Sequence, residues 1–278
     1  MECKYYFLFV LGICLQATNN GYSQEKPTYH LPEVYQFDYE VVQLTVANNS
    51  GHADTVHYYY AGNGEYAAML VGGAKRGKTQ SFLVFTKDGD WIMFDEDKKT
   101  ITIINMRNMM KDLATLGKSM TRDSLGPRPK DKTVPGNVQS IKTGNSKMIS
   151  GYKAEEYKIT KKDGSIIQVW YAKVDFNTQL YYMLGMGGMG GMGTNPSRVN
   201  PGDQNSFLQT MAQPNTLLAE IDSDPSAHDG KTMAMYTQSI SSTKTSKATG
   251  GYQVNNYSNM GMKDMIQAQG KKEAGQPH

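Results

Sequence analysis

Two glycine-rich stretches and one methionine ladder are the parts of this 278-residue chain whose residue types and spacing could do chemistry. Gly72-Gly73-Ala74-Lys75-Arg76-Gly77-Lys78-Thr79 has the spacing of a phosphate-binding loop, and Asp95, closing the apolar run from Trp91 to Phe94, resembles the aspartate that would hold magnesium. Such a loop works only if a helix starts at its lysine, so that N-terminal amides and the helix dipole meet the phosphates. The next residues, Gln80-Ser81-Phe82-Leu83-Val84-Phe85, have a strand pattern instead, and the chain up to Asp95 is too short for an intervening helix. The stretch reads as a basic hairpin turn. Gly185-Met186-Gly187-Gly188-Met189-Gly190 matches the glycine spacing of a dinucleotide-binding turn and comes after a strand expected at 179–183. It is followed by Thr194-Asn195-Pro196 rather than by a helix, so it fails the context that the chemistry requires.

The methionines are harder to dismiss. Met183, Met186, Met189 and Met192 recur every third residue within that loop. Thioether sulfur is a soft, uncharged ligand suited to Cu(I), and a glycine backbone could wrap several sulfurs around one ion. The same side chains could equally form an adaptable apolar contact for a lipid or a partner, or belong to a loop with no function. The five histidines, His30, His52, His57, His228 and His278, form no metal-binding spacing. No nucleophile elbow is present. Glu155-Glu156 and Asp95-Glu96-Asp97 stand beside lysines and read as solvated turns rather than paired catalytic carboxylates. No active site assembles from these residues, and no cofactor and no enzymatic activity are expected.

The elements that must position them are mostly strands. Short segments rich in aromatic and β-branched residues fall at 37–46, 55–60, 65–71, 80–86, 90–95 and 100–104, split by turns such as Gly62-Asn63-Gly64 and Lys87-Asp88-Gly89. Tight turns between short strands predict antiparallel pairing. Phe82–Phe85 and Trp91–Phe94 are apolar on both faces, so both faces must be covered or one must line an apolar cavity. Met106, Met109, Met110, Leu113, Leu116 and Met120 recur at helical spacing and predict an amphipathic helix lying on the sheet. Strands resume at 138–142, 147–149, 154–160 and 165–174, and again near 216–221 and 231–240. Ser258 and Asn259 can cap a last helix with Met262, Met265 and Ile266 on its inner side.

Composition bounds the function. Lys plus Arg is 29 and Asp plus Glu is 26, a net charge of +3 with both signs interspersed, so no clustered basic face for nucleic acid is expected. The apolar run from Tyr5 to Leu15, after Lys4 and before small residues ending at Ser23, has the form of a secretory signal peptide and is too short to span a bilayer. The expected organisation is a signal peptide at 1–23, an N-terminal extension at 24–36 and one domain at 37–269. That domain would carry loops at 117–137 and 184–214, with a loose tail at 270–278. Cys3 and Cys14 both fall in the leader, which leaves the mature chain without thiols for disulfides or thiolate–metal sites.

Residues 142–159, running Lys142-Thr143-Gly144-Asn145-Ser146-Lys147-Met148-Ile149-Ser150-Gly151-Tyr152-Lys153-Ala154-Glu155-Glu156-Tyr157-Lys158-Ile159, resemble the signature stretch of a secreted Bacteroidetes family. That family is catalogued as domain of unknown function 4412. The hairpin into Asp95-Glu96-Asp97-Lys98-Lys99, the Met-rich helix and the closing strand at 169–172 are similar as well. Members often carry a cysteine where this chain has Ala154. The resemblance implies a mainly β (α+β) fold similar to the LolA and LolB lipoprotein carriers: a curved antiparallel half-barrel with one or two amphipathic helices across its open face. In those carriers the apolar concave face shelters acyl chains.

The expectation is therefore a non-enzymatic envelope protein, exported to the periplasm or attached at the outer membrane, that binds a lipid or lipoprotein acyl chain. Its apolar wall would be Phe82, Phe85, Trp91, Phe94, Ile103 and Trp170, with Met106, Met109, Met110 and Leu113 as lid. A Cu(I) site at Met183, Met186, Met189 and Met192 is one alternative. An interaction scaffold with a filled core, working through an envelope protein partner, is the other. No transmembrane span is expected once the leader is removed.

Overall fold

The computed structural model describes residues 29–47, 52–71, 81–109, 111, 139–160, 166–180, 213–223, 233–261 and 264. The leader at 1–23, Met110, Leu113, the phosphate-loop-like stretch at 72–79 and the methionines from Met183 to Met192 lie outside them. So do Met262, Met265 and Ile266 of the expected last helix. Among the described residues, fourteen strands make the chain mainly β: β1 (Val34–Phe37), β2 (Tyr39–Ala47), β3 (His52–Tyr60), β4 (Tyr66–Val71), β5 (Ser81–Thr86), β6 (Asp90–Asp95), β7 (Thr100–Asn105), β8 (Gln139–Ile149), β9 (Tyr152–Thr160), β10 (Ile166–Lys173), β11 (Thr216–Ser223), β12 (Met233–Ser241), β13 (Thr245–Ala248) and β14 (Gln253–Asn256). Residues 106–109 form a small helix after β7. Among the described residues no helix is long and apolar enough to cross a membrane.

Two compact units share these strands. The first comprises Met1–Val34, Leu83–Thr133 and Ala248–His278, and the second Tyr35–Phe82 and Val134–Lys247. In the second the strand order is β4-β3-β2-β12-β11-β10-β9-β8, antiparallel throughout, with β8 at the end. In the first the order is β14-β7-β6-β5, with β14 at the end, so the sheet is not closed into a barrel. The pairing of β14 with β7 is parallel, Gln253 to Asn256 running beside Thr100 to Ile103, which makes the sheet mixed rather than purely antiparallel as expected. Parallel pairing needs a long connection, and here the chain makes all of β8 to β13 before it returns.

The strands form where period-two alternation places apolar groups on one side. In β9 and β10 the buried positions Ile159, Ile167, Val169 and Tyr171 join Leu217, Leu218 and Ile221 of β11 in the core of the second unit, together with Phe176 and Val41. In the first unit Thr100 to Ile104 are buried without alternation, and Leu83, Val84 and Phe85 likewise. Both faces of those strands are covered. The expected break at 143–146 is no break: β8 is one strand that steps out of register between Lys142 and Ser146. Residues 179 and 180 are helical rather than the start of a strand, because Asn177 Oδ1 accepts the amide of Gln179 and turns the chain.

Two bulges lie side by side in the second unit. Trp170 pairs with Glu220 and Tyr171 with Leu218, which leaves Ala219 as an extra residue on β11. Thr237 pairs with Gln43 and Ser239 with Val42, which leaves Gln238 as an extra residue on β12. Ladder pairing of β11 with β12 is limited to Glu220–Tyr236 and Ile221–Met235. The carbonyls just beyond that pairing are satisfied by side chains. Thr237 Oγ1 donates to Ala219 O at 2.7 Å, and Gln43 Nε2 donates to Leu218 O at 2.8 Å and to Thr237 Oγ1 at 3.2 Å. Gln43 is 1% exposed, so nothing from solvent can replace it. Gln43→Leu is expected to lower the unfolding free energy by about 1–3 kcal/mol, the cost of a buried carbonyl left without its donor, measured by urea denaturation. An unchanged denaturation midpoint would show that the bulge does not depend on this amide.

Candidate functional site

The expected apolar wall divides between the two units. Phe82 and Trp170 belong to the second. There Phe82 packs against Phe37 and Tyr59, with ring centroids 5.7 and 5.6 Å away, and carries the Lys247 ammonium 5.7 Å above its ring. Trp170 lies under the Lys147 ammonium at 4.2 Å, and that ammonium also reaches Glu220 at 2.7 and 2.8 Å. This cation is shared between an aromatic face and a carboxylate, an arrangement that fixes both.

In the first unit the pleat sorts the remaining wall residues. Residues directly opposite in an antiparallel pair point to the same face. Trp91 is opposite Ile104 and Met93 opposite Thr102, whereas Ile92 is opposite Ile103 and Phe94 opposite Ile101. Trp91 and Met93 therefore share a face with Ile104, and Phe94 shares the other with Ile103. Phe85 meets Trp91 edge to face at 5.3 Å. Beside Ile104, the helical turn at 106–109 places Met109 in the same cluster, buried to 4% exposure. Met93, Met106, Tyr257 and Met260 pack around this pair while remaining half-buried. Phe94, buried at 1%, instead meets Tyr252 edge to face at 5.4 Å. So Phe85, Trp91, Met106 and Met109 gather on one side of β6 and β7, and Phe94 and Ile103 on the other.

That other side also holds a polar recess. Asp90, opposite Asn105, is buried at 7% exposure and accepts the Tyr29 hydroxyl and the Asn105 amide, both at 2.7 Å. Asn105 Oδ1 in turn accepts the backbone amide of Asn108 at 3.1 Å. Asn108 Nδ2 donates to the carbonyl of Ser258 at 3.0 Å, and Asn256 Oδ1 accepts the Ser258 amide at 3.0 Å. These side chains, with Asn259, line a cavity of about 310 Å³. Ser258 and Asn259 thus shape a turn after β14, closed by the Met260 amide on Tyr257 O at 3.0 Å. The residues come from four distant stretches of chain, and no local spacing announces them.

The stretch with the family resemblance is a hairpin. Ser150 and Gly151, at φ 48° and 85°, make the two-residue turn that joins β8 to β9. Between the pairs Lys142–Tyr157 and Ser146–Glu155, residues 143–145 bulge opposite Glu156 alone, with Gly144 at φ 90°. Glu156 is 5% exposed, in mid-strand, and not part of a solvated turn as expected. Its Oε2 accepts Thr143 Oγ1 at 2.6 Å and Asn145 Nδ2 at 2.7 Å. The Thr143 hydroxyl above all, then the Asn145 amide and the charges of Lys158 and Lys147, hold its carboxyl below the usual range against the opposing effect of burial. Glu155 is lowered too, chiefly by the Lys142 ammonium at 2.6 Å. The Asp95–Lys98 turn is built as expected: Asp95 Oδ1 accepts the amide of Lys98 at 3.0 Å, and Glu96 accepts from Lys99 and Tyr252. On β2 and β3, Glu40 lies 2.8 Å from His57 Nδ1. Burial, and then the Glu40 charge, push the Tyr59 hydroxyl up to about 12.

Comparison with solved structures aligns the chain with PNGF-II at 13% identity, over 84% of this chain and 33% of that one, with a TM-score of 0.36. The chain spans about a third of the length of that protein. It also aligns with a DUF1329 family protein from Desulfovibrio piger at 10% identity, over 91% of this chain and 96% of that one, with a TM-score of 0.24. At these TM-scores neither likeness assigns a fold or a function. No family model matches the chain, and no curated protein matches it.

A carboxyl depressed in the folded state stabilises above its unfolded pKa, about 4.3 for glutamate, and that contribution is lost as pH falls through the lower folded value. The urea midpoint is therefore expected to fall between about pH 6 and pH 3, and to fall less in Glu156→Gln, which keeps an acceptor for Thr143. Equal acid sensitivity of the two proteins would remove Glu156 from this role.

Proposed function

We propose that this is an exported, non-enzymatic envelope protein, of the periplasm or attached at the outer membrane, that binds a lipid or lipoprotein acyl chain. The resemblance to the domain family 4412 and the half-barrel reading belong to the same proposal. One observation supports it above the others: the half-buried collar of Met93, Met106, Tyr257 and Met260 around Ile104 and Met109, with Trp91 on the same face of β6 and β7. Methionine is unbranched and polarizable, so a collar of this kind can repack around a chain of variable shape. Each methylene it covers contributes about 0.8 kcal/mol. The strands beneath are already filled on both sides, so the ligand would lie against the collar rather than inside the sheet.

A second reading, the interaction scaffold, draws on a different observation. On β8, which ends the strand order of the second unit, Ile141 and Met148 are 57% and 66% exposed. A terminal strand with exposed apolar side chains suits addition of a partner's strand.

The chain has two tryptophans, so Trp170→Phe leaves Trp91 as the only indole. A dibromo-stearoyl lipid added to that variant is expected to quench Trp91 emission saturably. In Met106→Gln the half-point should move about tenfold higher, since a partly covered Met contributes on the order of 1.5 kcal/mol. Emission unaffected by the brominated lipid would sink the acyl-chain reading and leave the scaffold.

A further inference from the structure

We infer that the polar recess of the first unit is a second binding site, for a neutral, hydroxyl-rich ligand the size of one or two sugar rings. The site goes beyond the acyl-chain proposal, because the recess shares the Ile92 and Ile103 face of β6 and β7 whereas the methionine collar shares the Trp91 face.

The charge of the lining excludes several ligand classes. Among the described residues it has no lysine, arginine or histidine, so nothing in it compensates a phosphate or a carboxylate. Its carboxylate, Asp90, uses one oxygen on the Tyr29 hydroxyl and the other on the Asn105 amide. Asp90 therefore keeps acceptor capacity for a hydroxyl proton while being fixed in place, since an ionised carboxylate offers about four lone-pair sites.

The remaining groups match hydroxyls. A sugar hydroxyl both donates and accepts, and so do asparagine amides and a serine hydroxyl. Asn108 spends an amide proton on Ser258 O and has no partner at its side-chain carbonyl among the described residues. The Ser258 hydroxyl and the Asn259 amide also have no partner among the described residues. These three groups line a recess whose other side chains, Tyr29, Asp90, Asn105 and Asn256, are already tied to neighbouring groups, so that part of the wall is set before a ligand arrives. Such preorganisation is what lets a small polar ligand bind despite the cost of stripping its water. At about 310 Å³ the recess is at the small end of ligand cavities, which run roughly 300–1,000 Å³. A peptide fits less well, because the described lining offers no apolar side chain except the Tyr29 ring to receive its side chains.

The test is saturation-transfer NMR on the full chain with glucose, N-acetylglucosamine, maltose and N,N′-diacetylchitobiose at millimolar concentration, and with glucose 6-phosphate as the charged control. At least one neutral sugar is expected to receive saturation, with glucose 6-phosphate bound more weakly than glucose. Asn259→Ala and Ser258→Ala, which remove no hydrogen bond made by these side chains within the described structure, are expected to weaken the bound sugar about two- to tenfold each with unchanged thermal midpoints. Transfer to none of the four sugars overturns the inference. So does binding that both variants leave intact, or a preference for glucose 6-phosphate.

Discussion

A backbone carbonyl that leaves its ladder must find another donor, and in the second unit that requirement governs how three strands can meet. At Ala219 and Gln238 the strands β11 and β12 each carry one residue too many, and the pairing between them stops after two residue pairs. Without Gln43 and Thr237, the carbonyls of Leu218 and Ala219 would face a dry interior unpaired. The side chains of two neighbouring strands therefore stand in for the missing backbone amides. Bulges bend and twist the strand that carries them. Here two adjacent bulges are made tolerable by one amide and one hydroxyl.

The same solution recurs at smaller scale. Glu156 fills the step in β8 by accepting from Thr143 and Asn145, and Asp38 Oδ2 accepts the amide of Gly62 at 2.7 Å where β3 turns toward β4. Asn105 ties the end of β7 to Asp90 and to the helical turn after it. In each case a polar side chain closes an irregularity that an apolar one would have left open. At Gly62 and Asn108 the group satisfied is a backbone amide, and at Glu156 it is a pair of side-chain donors.

The strands are legible in the sequence because alternation is a local property. Trp91-Ile92-Met93-Phe94 and Ile167-Gln168-Val169-Trp170 carry their pattern in adjacent residues, and each lies in a strand. The last two strands, Thr245–Ala248 and Gln253–Asn256, have almost no apolar content and are held by pairing with distant partners, so no pattern marks them. Glu156 misleads for a related reason. A glutamate beside lysines looks solvated until a bulge folds two donors over it. Part of the collar is visible, since Met106 and Met109 show helical spacing, whereas Met93, Tyr257 and Met260 join it only through the topology. The polar recess is invisible, because Tyr29, Asp90, Asn108 and Ser258 share nothing until the strand order brings them together.

The parallel strand β14 has a consequence for the order in which the chain can become whole. The first unit holds β6 and β7 from early in the chain and the strand beside β7 from its last quarter. A polypeptide made from its N-terminus must therefore complete β8 to β13 while one edge of β7 still waits for its neighbour. The unit that begins first is the one that finishes last. A nascent chain stalled before Gln253 would expose the amides and carbonyls of β7 along that edge, and the speed of synthesis through the final stretch would set how long other strands could compete for it.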